Sequence, residues 1–327
     1  MFGLGWLRAL TDARGLLEHA HHGVPRLGEG YTTDDNARAL LYLSLLPEGA
    51  RDEGLVRTYL AFLLHMQKED GRFRNGLTLD GRFEDEGEAE DPTGRAVLAL
   101  AAAQRLPPPY AGPAREALLR ALPALEGFTS LRGRAYALLG LLALPKEPFL
   151  EAAEALGEGL LRAFREAEPA WPYPGPLTYA NHRPVEALYA YGLAFRRQEA
   201  VALARRALAF LKEHYFTPGE EGLFFDPVGN RFMARGRDKP LFDQQPIEAK
   251  CALLAHLRFG ERVLAEVAFL WFHGRNRLRA PLVDAFGPMD GLTPHGPNQN
   301  RGAEALLAYL LAWQALVQGV FPQVDEG

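Results

Sequence analysis

The side chains best suited to acid–base chemistry stand together early in the chain, between residues 31 and 38. They are a phenol, a hydroxyl, two carboxylates, an amide and a guanidinium, at Tyr31, Thr33, Asp34, Asp35, Asn36 and Arg38. The apolar run 39–46 follows at once and predicts a helix, whose first turn Thr33 or Asp34 can cap. Two adjacent carboxylates repel each other, although the positive end of a helix dipole offsets part of that cost. The pair is therefore either an ordinary acidic helix cap or a pair of catalytic groups.

Five later stretches repeat this design, in which a polar opening leads into an apolar helical segment. They lie at 90–96, 131–135, 177–184, 243–249 and 298–304. The apolar segments alternate with segments that are charged along one face, for example 51–67 and 198–215. Because a helix that is apolar on all sides is buried, we predict six inner and six outer helices, an all-α (α/α)6 toroid in a single domain spanning 1–327. An open helical solenoid is the structural alternative.

The remaining segments complete this arrangement. We predict the first amphipathic helix at 5–19, where apolar residues recur at helical spacing. Three long loops, 68–91, 216–242 and 274–297, carry Asp-Gly turn signals or strand-like pieces such as 222–226. Ordered loops of this length are commonly functional. We therefore expect these three loops to form a rim that sets the size of the substrate.

The polar openings should meet in space, because hairpin connectivity makes all inner helices parallel. Their amino-terminal ends would then line one funnel. Carboxylates and amides bond to sugar hydroxyls, and flat rings pack against the C–H face of a sugar. The candidate substrate-binding residues are Tyr31, Asp34, Asn36, Arg38, Glu90, Arg95, Trp171, Tyr173, Tyr179, Asn181, Arg183, Gln244, Gln245, Asn298, Asn300 and Glu304. The simpler interpretation is that such residues are helix caps and ion pairs, and we expect that role for Arg134 and Glu186.

Four of these motifs resemble those of a known bacterial family. They are Thr-Asp-Asp-Asn-Ala-Arg-Ala at 33–39, Glu-Asp-x-x-Gly-Arg-Ala at 90–96, Phe-Asp-Gln-Gln-Pro-Ile-Glu-Ala at 242–249 and Asn-x-Asn-x-Gly-Ala-Glu at 298–304. The family comprises six-hairpin glycosidase-like proteins, some of them described as glycosyltransferase-associated. The resemblance spans nearly the whole chain and implies an (α/α)6 fold and carbohydrate chemistry. Pro92-Thr93 stands where the family pattern has Cys-His, and Ala180 where it has Asp.

A glycoside hydrolase that works with two carboxylates is our leading hypothesis. In such enzymes one carboxylic acid protonates the leaving oxygen, and a carboxylate activates water or attacks the sugar. Asp35 is the candidate base, because a helix start favours the ionised form. Asp243 or Glu248 is the candidate acid, beside apolar neighbours that disfavour ionisation, and Asp91 is the reserve for either role. Inversion at the anomeric carbon is a secondary expectation, by analogy with other (α/α)6 glycosidases.

Other functions remain open at this point. A sugar epimerase or isomerase would need histidine as acid and base, and His182 and His295 are the candidates near motif ends. A non-catalytic glycan-binding module would use the same funnel without turnover. A terpenoid cyclase-like toroid is suggested only by 67–73, and the polar funnel argues against an isoprenoid ligand.

Composition narrows the choice of partners. The chain has 327 residues, 48% of them hydrophobic, which is enough for a large core. The net charge is −5 and no basic patch is interleaved with aromatics, which argues against nucleic acid as a partner. The amino terminus lacks a signal-peptide pattern and no segment is long and apolar enough to span a membrane, so we expect a cytoplasmic protein. The excess of Arg over Lys is typical of a GC-rich or thermophilic source.

We expect neither a cofactor nor a metal. His19, His21 and His22 cluster without a carboxylate or cysteine at ligand spacing, and Cys251 is the single cysteine. The arginines at the helix starts, Arg38, Arg95, Arg183 and Arg301, should pair with Asp34, Glu90 and Glu304. Paired arginines leave no site for an anion, so the predicted substrate is a neutral oligosaccharide. The oligomeric state stays open.

Overall fold

The computed structural model describes residues 3–84, 90–144 and 146–320. Within these ranges the chain forms twelve α-helices and ten short strands, so the predicted all-α class is confirmed. The inner helices are α2 (Thr33–Leu45), α4 (Glu90–Ala102), α6 (Leu131–Leu141), α8 (His182–Ala194), α10 (Pro246–Arg258) and α12 (Ala303–Gln318). The outer helices are α1 (Leu4–Ala9), α3 (Glu53–Met66), α5 (Pro108–Leu125), α7 (Phe149–Arg165), α9 (Gln198–Tyr215) and α11 (Arg262–Leu270). Of the predicted rim loop 68–91, residues 85–89 lie outside the described part.

Burial separates the two classes of helix. In α8 every residue from His182 to Gly192 is buried, and in α12 only Glu304, Trp313, Val317 and Gln318 are not. In α9 burial is confined to one face that repeats at helical spacing, through Ala200, Ala204 and Leu211. The predicted alternation of inner and outer helices therefore holds along the chain.

The chain divides into two compact units, Met1–Gly159 and Leu160–Phe321. In the first unit, α2 packs beside α4 and α4 beside α6, with α3 on α2 and α5 on α4. In the second unit, α8 packs beside α10 and α10 beside α12, with α9 on α8 and α11 on α10. Glycine allows one close approach: a Cβ at Gly140 of α6 would lie 2.7 Å from the Cα of Leu98 in α4.

The predicted helix at 5–19 is wrong beyond Ala9, where α1 ends. The side chain of Asp12 accepts hydrogen bonds from the N–H groups of Arg14, at 2.8 Å, and Gly15, at 3.2 Å. Such local bonds offer the backbone an alternative to the helix. The chain therefore turns after residue 12 and becomes extended before β1 (Ala20–His21) and β2 (Val24–Pro25).

A small antiparallel ribbon forms around the start of α2. Leu17 pairs with Tyr31, Tyr31 of β3 (Tyr31–Thr32) pairs with Leu77 of β4 (Gly76–Leu77), and Leu77 pairs with Phe83. Thr32 is the helix cap, and its hydroxyl accepts from the N–H of Asp35 at 3.3 Å. The predicted caps Thr33 and Asp34 are therefore one and two residues too late, because Thr32 is the last residue with extended dihedral angles.

The two later loops also contain short hairpins. In 216–242, β5 (Phe216–Gly219) pairs with β6 (Gly222–Phe225), which is the strand predicted at 222–226. In 274–297, β7 (Val283–Asp284) pairs with β8 (Gly287–Pro288), and β9 (Leu292–Thr293) with β10 (Gly296–Pro297). Among the described residues, no helix combines the length and the apolar character that a membrane crossing requires.

Candidate functional site

The ribbon places Glu18 against the start of α2. Leu17, Tyr31 and Leu77 occupy one row of the ribbon and are all buried. Glu18 follows Leu17 directly, at a bend in the chain between the ribbon and β1. Its N–H donates to the carbonyl of Gly30 at 3.0 Å, which fixes this backbone beside the stretch that carries Asp34 and Asp35.

Glu18 has a strongly perturbed carboxyl group. Its pKa is raised from 4.5 to about 7, first by burial and then by the charges of Asp35, Asp34 and Glu29, against a lowering by His19. The imidazole of His19 lies 3.5 Å from the carboxyl group. The Glu18 side chain retains 33% of its accessible surface, so it is open to solvent. A carboxyl group that is half protonated near neutral pH is suited to donate a proton.

Asp34 and Asp35 differ in their surroundings although they are adjacent. Asp35 pairs with Arg38 and accepts from the hydroxyl of Thr32 at 3.1 Å, and its side chain is 4% exposed. Asp34 pairs with Arg95 through Oδ2 and keeps 22% of its side chain exposed. Asp35 thus stabilises the start of the helix, whereas the side chain of Asp34 is partly exposed and has a cationic partner, with its Oδ1 buried and without a hydrogen bond among the described residues.

The neighbours of the acidic pair hold the backbone. Asn36 accepts from the N–H of Leu16 at 2.9 Å and donates to the carbonyls of Thr32, at 2.8 Å, and Leu16, at 3.3 Å. Tyr31 is buried and donates to Asp12. Both residues were candidates for substrate binding. The structure gives them contacts that tie the turn after α1 to α2.

The opening of α4 is bonded to the start of α6. Glu90 accepts from the N–H of Thr129 at 2.8 Å and from the N–H of Ser130. Asp91 accepts from the hydroxyl of Ser130 and pairs with Arg132 at 3.0 Å. Both carboxylates therefore cap or brace the neighbouring helix.

One candidate of the second unit, Gln244, contacts a buried carboxylate that is not among the candidates, Asp226. Lys239 lies 2.9 Å from it and Arg277 contacts both of its oxygens. The amide of Gln244 donates to Asp226 at 2.8 Å and accepts from Trp271 at 2.9 Å. Burial would raise the pKa of Asp226, but Arg277 and Lys239 outweigh it and lower that pKa. Gln244 is thus part of a structural network.

A second buried network joins the starts of α8 and α10. The carboxylate of Glu248 accepts from the N–H of Ala180, whose φ of 51° lies in the left-handed region. Asn181 donates to the hydroxyl of Tyr215 at 2.7 Å and accepts from the N–H of Thr178 at 3.0 Å. Tyr215 also bonds to Glu248, and burial together with that carboxylate raises the pKa of Tyr215 well above its ordinary value. Glu248 is almost completely buried.

Arg183 belongs to an ion-pair triad, and the predicted structural role of Glu186 agrees with its contacts. Glu186 pairs with Arg183 and with Arg258, the latter at 3.1 Å. Burial would raise the pKa of Glu186, but these two arginines lower it. Arg134, the other residue expected to be structural, donates to the carbonyls of Phe128 at 2.7 Å and Gly159 at 3.3 Å.

The candidate aromatic residues are mostly buried. Trp171 donates to the carbonyl of Gly175 at 2.8 Å and packs edge-on against Phe210, and Tyr173 packs edge-on against Phe164. Tyr179 packs against the apolar cluster of Ala180, Ile247 and Cys251. A groove of about 610 Å³ runs past Trp171 and Tyr173.

The remaining candidates lie on loops and helix starts of the second unit. Asp243 is exposed with a φ of 60°, and Gln245 precedes α10 without a side-chain cap bond. Asn298 accepts from the N–H of Asn300 at 3.1 Å, and Glu304 lies in the first turn of α12. Arg301 pairs with Asp284 at 2.8 Å.

The four arginines at helix starts are all ion-paired, although with partners that differ from those predicted. Arg95 pairs with Asp34 as expected. The others pair with the nearest carboxylate on the same helix or in the adjoining hairpin, namely Arg38 with Asp35, Arg183 with Glu186 and Arg301 with Asp284. Among the described residues, no group of three or more His, Cys, Asp or Glu side chains is placed to bind a metal ion.

Neither a protein-family model nor a curated protein sequence matches the chain. Several solved structures match the chain in fold. A D-mannose isomerase aligns with a TM-score of 0.69 at 11% identity over 97% of this chain and 95% of that one. A cellobiose 2-epimerase from Bacillus thermoamylovorans aligns with a TM-score of 0.71 at 9% identity over 95% of both chains. A GH76 alpha-mannanase from Bacteroides thetaiotaomicron aligns with a TM-score of 0.64 at 10% identity over 97% of this chain and 94% of that one. The chain therefore has the six-hairpin glycosidase-like (α/α)6 fold.

Proposed function

We propose that the protein is a glycoside hydrolase that acts on a neutral oligosaccharide, with Glu18 as general acid and Asp34 as the partner carboxylate. One observation carries the proposal: Glu18, with a pKa of about 7, stands beside two carboxylates that are each ion-paired with an arginine. A carboxyl group that holds its proton near neutral pH, next to a carboxylate held by a cation, is suited to supply an acid and its partner.

The proposal changes the residues but keeps the two-carboxylate chemistry. Glu18 replaces Asp243 and Glu248 as the acid, since Asp243 is exposed and Glu248 is almost completely buried. Asp34 replaces Asp35 as base or nucleophile, because more of its side chain is accessible, 22% against 4%. In the reaction, Glu18 gives its proton to the glycosidic oxygen as the C–O bond breaks. Asp34 takes a proton from water, or forms the bond to the anomeric carbon itself.

A neutral substrate fits the charges at the helix starts. Arg38, Arg95, Arg183 and Arg301 each have a carboxylate partner. A guanidinium already engaged in this way is not available to grip a uronate or a phosphate through parallel hydrogen bonds. The mannanases among the structural neighbours also act on a carbohydrate, according to their names.

Sugar isomerisation is the second candidate function, and one side chain favours it. His182 is buried, and among the described residues neither of its ring nitrogens has a hydrogen-bond partner. Burial, and then His256, lowers the pKa of His182 well below its ordinary value, so it is neutral. A neutral imidazole can remove a proton. Because His182 has no accessible surface and His295 lies exposed on the turn between β9 and β10, we rank hydrolysis first.

The test is product analysis on a panel of aryl glycosides and neutral oligosaccharides, with the wild type and Glu18→Gln. We expect hydrolysis by the wild type and a loss of about 10²- to 10⁴-fold in kcat for the variant, the range for removal of a general acid. Glu199→Gln is the matched control, because Glu199 is an exposed outer-helix residue paired with Arg165. Epimerised products, or binding without turnover, would contradict the proposal. Proton NMR of the first-formed anomer tests inversion.

A further inference from the structure

Arg95 is a buried cation with few partners. It lies on α4, is almost completely buried, and pairs through one nitrogen with Oδ2 of Asp34. Burial would lower the pKa of Arg95, but the charge of Asp34, with Tyr136, raises it well above its ordinary value. A guanidinium withdrawn from water in this way depends on its carboxylate, and the carboxylate is held by it in return.

Tyr136 supports the same guanidinium from α6. Its hydroxyl accepts from Nη2 of Arg95 at 3.4 Å, and the guanidinium carbon lies 4.7 Å from the centre of its ring. Arg95 is thus held by a carboxylate on α2 and by the hydroxyl and ring of a tyrosine on α6. A planar guanidinium presents its donors in fixed directions, so the placement of Arg95 determines where Oδ2 of Asp34 lies.

We propose that Arg95 and Tyr136 are positioning residues of the acidic site: Tyr136 fixes the guanidinium of Arg95, and Arg95 fixes the carboxylate of Asp34. The proposal rests on the proposed hydrolase for the roles of Glu18 and Asp34. Asp34 is one of the charges that act on Glu18. Arg95 therefore influences Glu18 through Asp34, without touching the substrate.

The test measures the protonation of Glu18 directly and needs no substrate. The carboxyl carbon of Glu18, assigned with Glu18→Gln, is titrated by NMR in the wild type, Arg95→Gln, Asp34→Asn and the double variant Asp34→Asn/Arg95→Gln. We expect Arg95→Gln to raise the midpoint by about one pH unit, because the charge of Asp34 is then no longer offset. Asp34→Asn should lower the midpoint, and adding Arg95→Gln to it should change nothing further. The double variant also removes both members of the ion pair, so neither charge is left without its partner.

Tyr136→Phe should raise the midpoint in the same direction by a smaller amount, and should lower kcat several-fold with KM unchanged. Tyr189→Phe is the matched control. The hydroxyl of Tyr189, on α8, accepts a hydrogen bond from Arg205 at 3.2 Å, and the guanidinium carbon of Arg205 lies 5.4 Å from the centre of the Tyr189 ring. Tyr189→Phe therefore removes the same kind of hydrogen bond as Tyr136→Phe does. It should leave Glu18 unaffected.

An unchanged midpoint in Arg95→Gln, or an equal rise with and without Asp34, would overturn the positioning role. That result is separate from failure of the proposed function, which would appear as full hydrolytic activity in Glu18→Gln.

Discussion

Glu18 and Asp226 are both carboxyl groups withdrawn from water, and their pKa values move in opposite directions. At Glu18, burial and the charges of Asp35 and Asp34 raise the pKa to about 7. At Asp226, Arg277 and Lys239 outweigh the effect of burial and lower the pKa. Burial alone therefore does not decide protonation. Neighbouring charges decide whether the effect of burial is reinforced, as at Glu18, or overcome, as at Asp226.

The difference also bears on the roles proposed for the two carboxyl groups. Asp226 binds two cations and the amide of Gln244, and ties 216–242 and 274–297 to the start of α10. It has nothing left to offer a substrate. Glu18 has the imidazole of His19 at 3.5 Å and is accessible. A carboxyl group in that situation costs stability when ionised, and such costs are characteristic of functional sites.

The largest expected effect on stability is that of Asp226→Asn. The change leaves Lys239 and Arg277 without their carboxylate, and breaking a buried pair in this way costs about 3 to 5 kcal/mol. Urea unfolding at pH 7 measures it, with the exposed Asp80→Asn as control. Since the pKa of Asp226 is lowered on folding, its contribution is present above about pH 4 and is lost as the pH falls. A variant as stable as the wild type would show that the contacts of Asp226 do not stabilise the fold.

In contrast to Asp226→Asn, we expect Glu18→Gln to increase the stability of the fold above neutral pH. The folded-state pKa of Glu18 is raised from 4.5 to about 7, so the folded protein binds more protons than the unfolded chain between these values. Wild-type stability should fall as the pH rises through this window. The glutamine variant should lack that slope and melt at a higher temperature than the wild type at pH 8, with the difference shrinking towards pH 4.5. A lower melting temperature at pH 8 would mean that Glu18 is stabilising as a carboxylate.

The smallest expected effect is that of inorganic phosphate. Because the arginines at the helix starts are ion-paired, millimolar phosphate should neither accelerate turnover nor raise the melting temperature. Chloride at equal ionic strength is the control. A rise specific to phosphate would indicate an anion site and turn attention to phosphorolysis.

The fold followed from the sequence because helical periodicity records burial directly. The run 198–215 is α9 as predicted, and the motif at 31–38 does open an inner helix. The first helix was predicted too long, because the Asp12 side chain stops the helix while the apolar spacing continues to Leu16. That error concealed Glu18 inside a predicted outer helix.

The candidate site was harder to predict, because a polar residue looks the same whether it binds substrate or its own fold. Gln244 stands in a distinctive motif, yet both ends of its amide are bonded to Asp226 and Trp271. Asp226 itself lies in a loop, and its partners Lys239 and Arg277 are distant in sequence, so no spacing pattern reveals it. A carboxyl group with a raised pKa, such as Glu18, can be recognised only when its neighbours in space are known.

The most direct test of the central claim is the pH dependence of kcat/KM for oligosaccharide hydrolysis in the wild type and Glu18→Gln. The wild-type rate should fall as the pH rises through about 7, since only the protonated form of Glu18 can donate to the leaving oxygen. The variant should be about 10²- to 10⁴-fold slower and should lack this basic limb. A variant that keeps both the wild-type rate and the limb near pH 7 would contradict the assignment of Glu18 as the general acid.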